Sequence, residues 1–347
     1  MAAEKRYTPP RYIQVLKEIR RMIDEDYPDG GPFPTAREMC ARFNLSSVTY
    51  MKIFKILQNE GVLCVEGRSG GTRVVPESGR AVKIGVIFSM ESNPYIKANS
   101  FPLKVIHRLS MSGIGIHILT AHDPHQLYNL CAQFSFRFLL WFHPSEQQLA
   151  RIAKSGVDLP LIVFDHYSHK LKSYPFPYIA SSFDFRCRTL AEFLRERQFG
   201  KPLYCATFSG KSLFGREIIR IFKEYGFDLG EKDFANISHP EELLREVRKS
   251  RCRIVIAESP AWLLPPMHEA LRQIPEEERP KLLLFFNYEK AAESVRIKAP
   301  ERPDFWFQVD NPRFLDLVSQ TLMDCLENGL PRKGIEFNVT LIIPGKR

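Results

Sequence analysis

Apolar residues recur at helical spacing through the first sixty positions, and in short blocks typical of buried strands over the rest of the chain. Ile13, Leu16, Ile19 and Ile23 follow Pro9-Pro10 and predict a first helix, since proline suits a first helical turn. The acidic, Pro- and Gly-rich stretch DEDYPDGGP ends it. Thr35-Ala-Arg-Glu38 has capping-box spacing and opens a short second helix with Met39 and Phe43 on its apolar side. Asn44 favours a tight turn, and Leu45 is placed to plug the core between helices. Ser46 or Ser47 caps a third helix. Val48, Met51, Phe54 and Leu57 read as its buried stripe, and Gly61 as its terminator. Val62–Val65 and Thr72–Val75, joined by a GRSGG turn, read as a two-stranded hairpin.

Pro76–Arg80 (PESGR) is polar and turn-prone, a linker. Beyond it, strand-like and helix-like segments alternate. The strands are Val82–Ser89, Gly115–Thr120, Arg137–Phe142, Pro160–Phe164, Pro177–Ala180, Pro202–Thr207, Arg253–Ala257, Lys281–Phe286, Phe305–Val309 and a piece near Ile335–Ile343. The helices between them include Phe101–Ser112, Glu146–Ser155, Asp184–Arg197, Ser212–Tyr225, Pro240–Lys249, Pro260–Ile274 and Pro312–Asn328. Such βα alternation predicts an α/β fold of mostly parallel sheets flanked by helices. So many strands exceed one comfortable sheet, which predicts two lobes with a cleft between them. The expected organisation is a small unit over 1–76, a linker at 77–81 and a two-lobed unit over 82–347.

Composition changes this picture little. The chain has 347 residues, 44% hydrophobic and 26% charged, enough for two or three domains. No apolar run approaches the roughly 20 residues of a membrane span, and MAAEKRYTPP has no apolar signal-peptide core. A cytoplasmic protein is expected, without a membrane partner. The seven cysteines form no C-x-x-C pair and read as small buried hydrophobes. The net charge of +9 permits a polyanionic partner. Between Thr35 and Leu57 the excess is local: Arg37, Arg42, Lys52 and Lys55 stand against only Glu38.

That local excess suits a helix-turn-helix. Its second helix, capped by serines and edged by Thr49, Tyr50 and Lys52, would present its N-terminal residues to base edges. The hairpin would act as a wing. Its glycines allow close approach to a phosphate backbone, with Arg68 and Arg73 supplying positive charge.

The pattern Y-x-Q-V…I…FPTARE…L-S-S-V-T…L-x-x-E-G-V-L…G-x-x-G-G-T-R-V resembles the GntR-type winged helix over residues 10–75. The resemblance implies contacts to a double-stranded DNA operator from Arg37, Ser46, Ser47 and Thr49, and from the wing at Gly70, Gly71 and Thr72. Thr35, as the cap beside Arg37, belongs to the same set. The family often has Arg where this chain has Ser47, and Phe where it has Arg73, so an operator sequence does not carry over.

The rest of the chain resembles the LacI/GalR effector domain. The opening from Lys83 to Tyr95, Ile162-Val-Phe-Asp-His166, the crossing stretch Tyr178–Phe193, Ser212-x-x-x-Arg216 and Gln308-Val309…Pro312 carry that resemblance. It implies a homodimer and a small-molecule effector, a carbohydrate or a derivative of one, held between the lobes by Asn93, Tyr95, Asp165 and Arg216. Two motifs depart from the family. Glu258-Ser259 replaces the usual Asn-Asp, and Phe286-Asn287-Tyr288-Glu289 replaces Gly-Phe-Asp-Asp, leaving Asn287 or Glu289 to accept sugar hydroxyls. Together the two resemblances imply a chimeric regulator like the arabinose-responsive repressors, with no cofactor.

No G-x-S-x-G, G-x-x-x-x-G-K-[ST], H-E-x-x-H or G-x-G-x-x-G after the first strand of the large unit is present, so an enzyme is not expected. His122, Asp123, His125, Asp165, His166 and His169 lack compact metal-ligand spacing, so no metal is expected. Trp306 and Phe307 read as core aromatics before sugar-stacking ones. Two alternatives stay open: a DNA-binding regulator whose sensor no longer binds a small molecule, and a cytosolic ligand-binding protein without a DNA function.

Overall fold

The structure is a computed structural model that describes residues 8–66, 71–76, 79–88, 101–120, 122–165, 168, 171–206, 209–237, 239–258, 264–285, 303–308 and 312–343. The first helix, α1 (Arg11–Asp26), starts directly after Pro10 and buries Ile13, Val15, Leu16, Ile19, Met22 and Ile23. A short strand β1 (Gly31–Pro32) follows, then α2 (Ala36–Phe43) and α3 (Ser47–Asn59). Asn44 takes the left-handed conformation (φ 49°) that turns the chain between α2 and α3. Strands β2 (Leu63–Val65) and β3 (Thr72–Val74) complete an antiparallel sheet of order β1-β3-β2. A separate apolar cluster, from Val15 to Val74, fills the space between these three helices and this sheet.

The stripe expected on α3 holds in its second half, where Leu57 is buried and Phe54 packs on the small unit's cluster, and fails in its first. Tyr50, Ile53, Ile56 and Leu57 are its buried residues, whereas Val48 is 79% exposed and Met51 46% exposed. The apolar positions of α3 run nearly all round the helix, so periodicity alone does not choose the buried side. The face set against α1 and α2 does.

The described residues of the remainder fold around two six-stranded sheets. The first holds β4 (Lys83–Phe88), β5 (Gly115–Leu119), β6 (Leu139–Phe142), β7 (Leu161–Asp165) and β8 (Tyr178–Ser181). Its helices are α4 (Phe101–Met111), α5 (Pro124–Phe134) and α6 (Glu146–Lys154). Helix α5 was not among the predicted ones. Its signal was present: Asp123 caps it through the amides of His125 and Gln126, with Pro124 in the first turn.

The chain then crosses through α7 (Phe183–Glu196) into the second sheet, which holds β9 (Leu203–Ala206), β10 (Phe234–Ala235), β11 (Ile254–Glu258), β12 (Lys281–Leu284) and β13 (Phe305–Gln308). Helices α8 (Leu213–Glu224), α9 (Pro240–Ser250) and α10 (Leu264–Arg272) accompany it. Helix α11 (Pro312–Asn328) leads back, and β14 (Ile335–Phe337) adds to the first sheet beside β8. Last, β15 (Thr340–Ile342) returns to the second sheet, antiparallel to β13. The C-terminal piece read as one strand is therefore two, one in each sheet. The orders are β14-β8-β7-β6-β4-β5 and β10-β9-β11-β12-β13-β15, and the other neighbouring pairs within both sheets run parallel. This is the α/β fold of parallel, helix-flanked sheets that the alternation predicts.

One apolar cluster spans both sheets. Phe101 stacks on Phe164 and on Phe314 at centroid distances of 5.3 and 5.1 Å, and Phe183 meets Phe214 and Phe285 edge-on. The amino-terminal unit rests on the first sheet's helices through α1 and α5. Lys17 donates to the Tyr128 hydroxyl at 2.7 Å and lies over its ring. Arg20 donates to the carbonyls of Ala132 and Gln133 near the end of α5.

Candidate functional site

Two places gather the residues singled out by sequence. The first is the outer side of α2 and α3. Thr35 and Glu38 form the capping box: the Glu38 amide donates to the Thr35 hydroxyl at 3.4 Å, and the Thr35 amide to the Glu38 carboxylate at 2.8 Å. The Thr35 amide is the main cause that holds the Glu38 carboxyl below its ordinary range. Arg37, next in the helix, is exposed and makes no ion pair among the described residues. Ser46 caps α3, accepting from the Thr49 amide at 3.2 Å and sharing a 3.0 Å hydrogen bond with the Thr49 hydroxyl. Ser47 is exposed beside it. The N-terminal half of α3 is therefore uncovered, with its caps in place.

Tyr50 does not belong to this surface. Its side chain is buried in the cluster of the small unit and packs on Phe54 at 5.9 Å between centroids. Burial raises its hydroxyl pKa. Lys52 is exposed, but its ammonium sits 3.6 Å above the Tyr12 ring, which draws it toward α1. In the hairpin, Gly71 is exposed at φ +75°, a conformation that favours glycine. The Thr72 carbonyl accepts from the Phe33 amide at 2.8 Å. Arg73 pairs with Glu66 at 3.3 Å across the hairpin. Arg68 and Gly70 lie outside the described residues.

The second place is the carboxyl end of the two large sheets, where α/β folds hold ligands. Asp165 ends β7 and is buried, with an Oδ1 3.6 Å from Nδ1 of His143. His143 follows β6 with a left-handed backbone (φ 51°), unusual for a non-glycine residue, and its amide donates to the Phe164 carbonyl at 2.8 Å. Sequence reasoning missed His143, although the all-apolar run LLWF followed by His-Pro-Ser marks a strand's carboxyl end. On the second sheet, Glu258 ends β11 and is buried. Burial pushes the Cys187 thiol well up, with the Glu258 charge adding to the rise and that of Arg186 opposing it.

Arg216 lies in the first turn of α8, below the Ser212 cap, and is exposed. Asp123 caps α5 and pairs with Arg151 at 2.9 Å, a structural role. Trp306 and Phe307 are buried in the core. Asn93, Tyr95, Asn287 and Glu289 lie outside the described residues. No cluster of metal-ligating side chains occurs among the described residues, and no described helix is long and apolar enough to cross a membrane.

The amino-terminal unit and the first sheet also meet around Glu60. This buried carboxylate holds Arg20 at 2.5 Å and accepts from the Ser135 hydroxyl at 3.2 Å. A cavity of about 300 Å3 lies beside it, lined by Arg20, Asp24, Arg80, Lys83 and Arg137 among others. Arg80 donates to Asp24 and to the Val75 carbonyl, both at 2.9 Å, fixing the segment that joins the two units.

No family model and no curated protein matches the chain. Solved structures do. The chain resembles transcription regulator CcpA of Lactococcus lactis (TM-score 0.54, 11% identity, 76% of this chain and 98% of that one). A Lac repressor bound to ONPG in the repressed state gives a TM-score of 0.53 at 11% identity, over 97% of this chain and 98% of that one. A transcriptional regulator CelR in complex with cellobiose gives 0.51 at 13%, over 86% and 90%. At these identities the likeness is one of fold: the paired sheets have the periplasmic-binding-protein-like architecture found in LacI-type transcription regulators.

Proposed function

We propose that the chain is a sequence-specific DNA-binding transcription regulator, acting as a repressor under the control of a small-molecule effector. In this reading residues 1–76 form a GntR-type winged helix-turn-helix, 77–81 a linker and 82–347 a two-lobed sensor of LacI/GalR type. Three helices with the sheet order β1-β3-β2 support the winged-helix reading, and the fold of the paired sheets supports the sensor. The proposed DNA contacts are Thr35, Arg37, Ser46, Ser47, Thr49, Lys52, Arg68, Gly70, Gly71 and Thr72. The proposed effector contacts are Asn93, Tyr95, Asp165, Arg216, Asn287 and Glu289. A carbohydrate or derivative fits the last set, since carboxylates, amides and a guanidinium suit hydroxyl-rich ligands.

One observation carries the reading. The unit docks on the sensor through α1, while the capped N-terminal half of α3, with Ser46, Ser47 and Val48, faces solvent. A recognition helix must offer that half to the major groove. Two such helices in a homodimer would meet a two-fold operator, and an effector would act by its differential affinity for two dimer geometries.

The test is site selection from a random duplex pool at stated salt, followed by thermal-shift screening of a carbohydrate panel. Enrichment of one two-fold sequence, with a carbohydrate that raises the midpoint and changes DNA retention, is expected. A pool that enriches no sequence over competitor DNA overturns the reading. Enrichment with no midpoint shift for any carbohydrate leaves a DNA-binding regulator without this effector class.

A further inference from the structure

The outward face of α3 carries two large apolar residues among its polar ones. Val48, 79% exposed, and Met51, 46% exposed, lie three residues apart and share that face. Neither belongs to the cluster that packs the small unit, although Tyr50, Ile53, Ile56 and Leu57 of the same helix do. Ser46 and Ser47 lie at one end of the pair, and Lys55, exposed, lies one turn beyond it. Arg37 on α2 is exposed as well. The face thus has an apolar centre with hydroxyls at one end and a cation at the other, and α2 offers a second exposed cation.

Those cations select the occupant. An apolar partner protein would gain nothing from Arg37 and Lys55, whereas a duplex meets them with phosphates. The apolar centre then needs an apolar group at a base edge. Among the four base pairs, the major groove offers one such group, the thymine 5-methyl. We propose that Val48 and Met51 read thymine methyl groups, so that each preferred half-site carries thymine where the N-terminal half of α3 enters the groove. The inference rests on the DNA-binding reading above and adds to it the base that this helix selects.

The test uses the full chain and the best duplex from site selection. Each thymine of the half-site is replaced in turn by deoxyuridine, which removes the methyl and keeps every hydrogen-bonding group. Retention is measured at fixed salt. One or two positions per half-site are expected to lose about fourfold in affinity each, the equivalent of about 0.8 kcal/mol for one buried methyl. Val48→Ser and Met51→Gln, both at exposed positions, are expected to bind the thymine and deoxyuridine duplexes alike at the position each reads. If deoxyuridine costs less than twofold at every position, the inference fails and sequence-selective DNA binding stands. If the Val48→Ser, Met51→Gln double variant keeps the full deoxyuridine penalty, another side chain reads the methyls and the inference fails. If no sequence is enriched at all, the DNA-binding reading falls and takes this one with it.

Discussion

Arg20 of α1 and Glu60, the residue that closes α3, form an ion pair of 2.5 Å with the glutamate side chain almost fully buried. Both partners also reach across to the unit of paired sheets: Arg20 to the carbonyls of Ala132 and Gln133, Glu60 to the Ser135 hydroxyl. The pair therefore ties the small unit's own helices together and ties that unit to the end of α5. Desolvation outweighs the attraction of Arg20, and the Glu60 carboxyl titrates above its ordinary value. The pair positions more than it stabilises.

Removing one partner is a different matter from neutralising it. Glu60→Ala leaves a guanidinium with its carboxylate gone and a cavity beside it, and is expected to cost about 3–5 kcal/mol. Glu60→Gln keeps the shape and most hydrogen bonds. Because the folded value is raised, the stability carried by neutral Glu60 is fully present below the ordinary glutamate value and is lost as pH rises through the raised one. The stability of Glu60→Gln relative to the parent should accordingly improve between pH 4 and pH 7. Urea unfolding of the three proteins at both pH values checks this, and a flat difference between parent and Glu60→Gln would contradict it.

Arg186 is a buried cation, and it marks the crossing between the sheets. Its guanidinium donates to the Ser181 hydroxyl at the end of β8 and to the Phe285 carbonyl just past β12, both at 2.8 Å. It also lies against the rings of Phe285 and Phe307 at 5.2 and 5.6 Å. A planar fork that donates along its edge and packs on its face is a task for arginine, not lysine. Arg186→Lys is expected to cost about 2–3 kcal/mol by leaving buried acceptors unmet. Arg216→Lys, at an exposed position, should fall within about 0.5 kcal/mol of the parent. Denaturant midpoints of the two variants decide.

How much of this was legible follows from what each signal measures. Capping chemistry is local, so Thr35–Glu38, Ser46, Asn44 and Gly61 announced the helix ends where they occur. Strand blocks such as IVIAE and LLWF are fully buried runs, so they stood out without periodicity. The buried side of α3 was legible only at Phe54 and Leu57. Val48 and Met51 are as apolar as the residues that pack, and only the tertiary arrangement leaves them outside. Arg186 was equally silent, because a buried arginine and a solvated one look alike until the acceptors Ser181 and Phe285 are brought to it. The end of β6 at His143 was readable from LLWF, but its pairing with Asp165 became visible only once β6 and β7 lay side by side.

The proposed DNA surface predicts a contrast between two neighbouring helices' side chains. Arg37 is exposed and offers a free charge to a phosphate or base edge, whereas the Tyr50 hydroxyl belongs to a buried ring. Arg37→Ala should weaken retention on the selected duplex and, if the contact is to phosphate, lower the slope of log affinity against log salt by about 1. Tyr50→Phe should leave both quantities unchanged, its effect being confined to stability. Filter binding across a salt series separates the outcomes. A loss of affinity in Tyr50→Phe with an unaltered melting curve would put the hydroxyl back on the surface.

The junction between β8 and β14 predicts the sharpest steric effect. A Cβ at Gly334 would lie 2.0–2.3 Å from ring atoms of Tyr178, a distance no pair of non-bonded carbon atoms tolerates. The ring cannot swing away freely: its hydroxyl donates to Glu336 at 3.0 Å, and Glu336 is held in turn by Lys172 at 2.9 Å. Gly334→Ala is therefore expected to cost about 1–3 kcal/mol through overpacking. Tyr178→Ala alone should cost about 3–5 kcal/mol, the range for emptying a buried aromatic site. Combined, the two changes should cost less than their sum, because the second removes the atoms that the first would strike. A double-mutant cycle by urea unfolding measures the difference, and strict additivity would mean that the loop before β14 yields in place of the ring.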